Sequence, residues 1–148
     1  IVLNDTARKR LAKAQVNVVQ PVDYRAGTRF ILGDVLTANG DPTALLKLIN
    51  SSDIALYIDN TINAICLRHL LKGMTTYIDD ATKDCVAFLD ACCTPERPLL
   101  VTSETLGGFY DFSITPRTDR PFDAVDIRLG RRPQGAVRAG YFESTVEK

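Results

Sequence analysis

The chain contains no tryptophan, one methionine and one histidine, and its 18 basic residues are balanced by 18 acidic ones. Zero net charge excludes a general polyanion binder, whose affinity rests on an excess of lysine and arginine. No nucleic-acid partner is therefore expected. No apolar run approaches the ~18 residues of a membrane-spanning helix, and no secretory signal pattern is present, so no membrane insertion is expected. Cysteine is sparse. Cys66, Cys85, Cys92 and Cys93 show no C-x-x-C spacing, and the adjacent pair has poor geometry for a mutual disulfide. All four fall within apolar helical patterns, where a free thiol behaves as a small hydrophobe and implies a reducing compartment.

What is present is ordinary globular material: 148 residues, 45% hydrophobic and 24% charged. That length corresponds to one domain able to bury about 68–70% of its unfolded surface, with no metal or disulfide staple required. The first residues, Ile1-Val2-Leu3, lack an initiator methionine and read as the start of a piece cut from a longer chain.

Residues Asp5 to Gln15 read as a short basic helix capped by Asp5 or Thr6, with Ala7, Leu11 and Ala14 on its apolar side. Val16 to Val19 is a brief strand ended by Gln20-Pro21, and Thr28 to Leu32 is a second, entered by a turn at Gly27 and closed by Gly33-Asp34. Asn39-Gly40-Asp41-Pro42 is a strong turn signal.

Two longer helices follow. Ser52 to Lys72 carries Ile54, Ile58, Ile62, Ile65 and Leu70 on one stripe, with Gly73 as its stop. Thr76 to Cys93 turns Ile78, Ala81, Cys85, Phe88, Leu89 and Cys92 inward. The last third is β in character: Leu99 to Thr102, a Gly107-Gly108 turn, then alternating strands over Tyr110–Thr115 and Ala124–Leu129. The expected class is α+β: a small mixed β-sheet packed with two main helices plus a short N-terminal helix. A core domain over residues 1–132 is expected to lead into an extended C-terminal arm over 133–148, anchored by Val137, Tyr141 and Phe142.

Reactive groups are few. His69 has no serine or cysteine partner implied by spacing and reads as a half-exposed helix histidine. Asp79, Asp80 and Asp84 suit a helix start and lack the further oxygen ligands of a cation loop. The glycines match neither nucleotide-binding fingerprint. No enzymatic activity, cofactor or metal is expected. Charge placement carries more information. Acids dominate between Ser51 and Asp90, and arginines dominate between Arg117 and Arg138. That is either a solvated surface or a pair of opposed faces suited to head-to-tail contact between copies.

The order of these segments carries a resemblance. Val16-Asn17-Val18-Val19, then Gly27-Thr28-Arg29-Phe30-Ile31-Leu32-Gly33-Asp34-Val35-Leu36-Thr37, then Asp53 to Ile58 and Val86 to Leu89 on helices, are followed by Gly108 to Pro116 and the strand through Ile127. Together they resemble the C-terminal, tube-proximal domain of contractile tail sheath proteins of bacteriophages and related contractile injection systems. The resemblance implies a structural protein that polymerises as a helical sheath around a tail tube and contracts to drive the tube through a cell envelope. Its implied partners are copies of itself and the tube protein. Its implied location is the virion tail, assembled in the bacterial host cytoplasm. Terminal arms of such proteins add strands to neighbours' sheets, which implies Val137, Arg138, Tyr141 and Phe142 as inter-subunit arm residues. A non-enzymatic binding module, such as a baseplate or receptor-interaction domain, is the alternative expectation.

Overall fold

The computed structural model describes residues 4–32, 36–41, 43–135 and 144. It has the mixed α+β character expected, with three α-helices and four strands among the described residues. The strands form two separate two-stranded antiparallel sheets in place of one small mixed sheet. Each sheet joins strands adjacent in sequence, and short connections favour such local antiparallel pairing. The chain divides into two compact units, Ile1–Asn50 with Gly135–Lys148, and Ser51–Gln134.

In the first unit, α1 (Asp5–Lys13) is capped by Asn4, one residue earlier than expected, whose side-chain oxygen accepts from the Ala7 N–H at 2.8 Å. Asp5 in its first turn and Lys13 in its last both suit the helix dipole. β1 (Val19–Tyr24) pairs with β2 (Gly27–Leu32) through a two-residue link, with Gly27 supplying φ +121°. β1 therefore starts where the expected strand ended and runs through Pro21, which lies opposite Phe30. A two-stranded ribbon has an open edge, where the missing proline N–H costs nothing. Beyond it, the Asn17 side chain clamps Leu36, donating to its carbonyl and accepting from its N–H, both at 2.9 Å. Leu36 is buried and bridges to Leu48, just past a short 3₁₀ turn at Leu45–Lys47.

The second unit holds the core. α2 (Ile49–Arg68) and α3 (Met74–Ala91) contribute Ile58, Ile62, Ile65 and Cys66 from one helix and Tyr77, Ala81, Cys85 and Leu89 from the other. Cys92, Leu100 and Ile114 complete the cluster. Most of these inward positions follow from the 3.6-residue spacing of apolar residues. Leu70 departs from it: α2 stops at Arg68 and Leu70 is 55% exposed. The stop is made at Leu71, which takes the left-handed φ of +69°, while Gly73 serves as the N-cap of α3.

β3 (Tyr110–Pro116) and β4 (Val125–Arg131) form a hairpin whose first strand packs on α3. Leu99 to Thr102 is not a full strand. It pairs with the stretch after β4 through the Leu100–Pro133 bridge, the Val101 N–H to the Arg132 carbonyl at 3.0 Å, and the Gln134 N–H to the Leu99 carbonyl at 2.9 Å. Ser51, fully buried, donates its hydroxyl to the Gln134 carbonyl at 3.1 Å. Pro133 and Gln134 are thus held in this unit, where the extended arm was expected to begin.

Candidate interaction surface

The surfaces of the second unit are set by what its strands and helix ends leave unpaired. β3 has β4 on one side only, and its other edge joins no ladder among the described residues. Ser113 and Ile114 of β3 and Ile78, Asp79, Thr82, Lys83 and Val86 of α3 line an open groove of about 580 Å³. A sheet edge flanked by apolar side chains offers backbone donors and acceptors for an added strand and a seat for its alternate residues.

A second concavity, about 340 Å³, lies between the α2–α3 turn and the loop before β4. Leu70, Leu71 and Met74 face Phe122 and Val125 there. Leu71 and Phe122 are almost wholly solvent-exposed. On the first unit, Phe30 and Leu32 of β2 and Val19 and Tyr24 of β1 are also exposed, with the Arg29 guanidinium over the Tyr24 ring at 5.7 Å.

Polar contacts stiffen the α2–α3 turn. His69 Nε2 lies 2.8 Å from Asp84 Oδ2, and Lys72 Nζ lies 3.0 Å from His69 Nδ1 and also donates to Asp80. An ammonium has no lone pair, so Nδ1 is the acceptor and the Nε2 proton faces Asp84. His69 is thus beyond the helix end and largely buried at its side chain, not half-exposed on the helix. The Lys72 hydrogen bond holds the Asp80 carboxyl below the usual range. The acids expected at a helix start sit in later turns of α3, since that helix begins at Met74, and two of them serve this clasp.

Three arginines of the arginine-rich stretch are matched within the chain. Arg117 pairs with Asp119 and Asp126, Arg120 with Asp123, and Arg131 with Asp59 of α2. These pairs reduce the basic face that the bare sequence implied; Arg128 and Arg132 stay exposed, with no ion pair among the described residues. Tyr110 donates to Asp90 at 2.6 Å, and burial, then Asp90, pushes its hydroxyl up to about 12. Neither the Asp59–Arg131 nor the Asp90–Tyr110 pair had a local signal in the sequence.

The four cysteines are free, with Cys66, Cys85 and Cys92 buried. Among the described residues no group of three or more His, Cys, Asp or Glu side chains could hold a metal ion. No helix among them is long and apolar enough to cross a membrane. The expected arm residues Val137, Arg138, Tyr141 and Phe142 lie outside the described residues. Comparison with protein-family models, curated proteins and solved structures gives no match.

Proposed function

We propose that this chain is a structural subunit segment of a contractile tail sheath, working by strand exchange with copies of itself around a tail tube. The observation that carries the reading is the open edge of β3 above the groove of Ser113, Ile114, Ile78 and Val86. An incoming extended segment gains main-chain hydrogen bonds from that edge, and the groove takes its alternate side chains. Val137, Arg138, Tyr141 and Phe142 have the strand propensity such a segment needs. In this reading the protein is not an enzyme, needs no cofactor, and resides in the virion tail after assembly in the host cytoplasm. The ordered resemblance from Val16 through Ile127 supports the same assignment.

The test is immunogold electron microscopy with antibodies raised against this chain, applied to contractile particles from its source. Label along the whole tail is expected. Label confined to the tail end would favour a baseplate component, and unlabelled particles would remove the assignment.

A further inference from the structure

We propose that the outer face of α2 is a self-pairing surface that docks antiparallel on α2 of a second copy of this chain. Leu56, Asn60, Asn63 and Leu67 are all exposed, the two leucines at 60% and 55%. Their spacing of four, three and four residues places them within about 60° of one another at about 100° per residue. They form a narrow stripe opposite the buried Ile58, Ile62 and Ile65. A 3–4 alternation is the seam along which helices pack at shallow angles.

The stripe reads the same in both directions about the midpoint between Thr61 and Ile62. Leu56 and Leu67 each lie about 8 Å from that midpoint, and Asn60 and Asn63 about 2 Å, at 1.5 Å rise per residue. An antiparallel second copy therefore sets Leu56 on Leu67 of the partner subunit and Asn60 beside Asn63 of the partner subunit. Each amide is both donor and acceptor, so the asparagine pairs are self-complementary. A polar pair within an apolar stripe selects one register and orientation.

Charge complementarity favours the same pairing. Asp53 near the start of α2 and Arg68 at its end are exposed, lie on the same flank of the stripe, and make no ion pair among the described residues. Antiparallel packing brings like flanks together, so Asp53 meets the partner's Arg68 on both sides of the two-fold axis. A seam of two leucines and two amides per copy is small, which places the association in the weak, transient class. It is independent of the sheath reading, because an isologous contact closes on itself and does not propagate as a polymer.

Sedimentation equilibrium of the full 148-residue chain, carried up to millimolar concentration, reads this directly, with circular dichroism checking that each variant folds. A monomer–dimer equilibrium is expected. Leu56→Glu and Leu67→Glu should each weaken it by about tenfold or more and to a similar degree, because the two positions oppose one another. Asn60→Lys alone should weaken it, and adding Asn63→Asp should restore or exceed wild-type affinity, since each lysine then faces an aspartate across the axis. A monomer at every concentration, or a dimer indifferent to both glutamate variants, would overturn the proposal. So would a double variant that associates no better than Asn60→Lys alone, as would follow from parallel pairing of like charges.

Discussion

The sulfur atoms of Cys66 and Cys85 meet 3.9 Å apart in the buried seam between α2 and α3. Burial, then the neighbouring Cys66, pushes the Cys85 thiol up to about 12. Tyr77, packed against the same pair, is raised to about 12, first by burial and then by Cys66. The Cys85 thiol is therefore held protonated, and burial keeps Cys66, Cys85 and Cys92 out of reach of reagents. Reaction of the folded chain with a thiol-specific disulfide reagent at mild alkaline pH should leave Cys85 and Cys92 unmodified. Unfolding in guanidinium should expose all four. Rapid modification of Cys85 in the native chain, read by peptide mass, would contradict this packing.

The same shifts set the alkaline limit of stability. In the unfolded chain a cysteine releases its proton near its reference value of 9.0 and a tyrosine near 10.0, while folded Cys85, Tyr77 and Tyr110 hold theirs to about 12. The unfolded state thus binds fewer protons between those values, so stability falls as pH rises. The contribution is complete below pH about 9 and is lost progressively toward pH about 12. Urea midpoints measured across that range should decline, and Tyr110→Phe should make the decline shallower. A flat profile would contradict the assignment.

Core and surface positions of the same helices should respond differently. Ile58 and Leu89 are fully buried, and replacing either by alanine should cost about 2–5 kcal/mol through lost burial and a residual cavity. Leu56→Ala, on the exposed side of α2, should change the stability of the monomer by no more than about 0.5 kcal/mol. Chemical denaturation at low protein concentration separates the two classes.

Leu71 combines a left-handed φ of +69° with a wholly exposed side chain. The strain of about 1–2 kcal/mol is not offset by packing of the side chain, while glycine adds about 0.5–1 kcal/mol of unfolded-state entropy. Leu71→Gly is therefore expected to stabilise the chain by about 0.5–1 kcal/mol, seen as a higher thermal midpoint. A lower midpoint would mean that the leucine side chain is held by contacts of its own.

Lys72 is expected to govern the Asp80 carboxyl. Its hydrogen bond is the largest cause of the lowered Asp80 value, with burial opposing and the Coulombic attraction of Lys72, His69 and Lys83 adding smaller lowering effects. Lys72→Ala should move the Asp80 titration up toward 3.8, followed by carboxyl carbon shifts in NMR. Any stability the lowered value provides is present above the unfolded pKa and is lost as pH falls through the folded one. An unchanged Asp80 titration would show that Lys72 does not hold it.

Much of the second unit was legible from the chain alone. The spacing of Ile58, Ile62 and Ile65, and of Ala81, Cys85, Leu89 and Cys92, determined two helices and the faces they bury, because a helix repeats every 3.6 residues whatever packs against it. Alternation through Tyr110–Thr115 and Ala124–Leu129 likewise determined two strands; the first runs one residue further in the structure, and the second starts one residue later and ends two residues later. Turn chemistry placed Gly107, which takes a positive φ beside the Ser103–Gly108 bridge. Tertiary structure decided what depends on docking. It stopped α2 at Arg68 and turned Leu70 outward, it buried Tyr77 against Cys66, and it joined Asp59 to Arg131, Asp90 to Tyr110 and Leu100 to Pro133. Those contacts join residues far apart in sequence, so their partners are chosen by how whole elements meet, and no local period or turn signal records that choice.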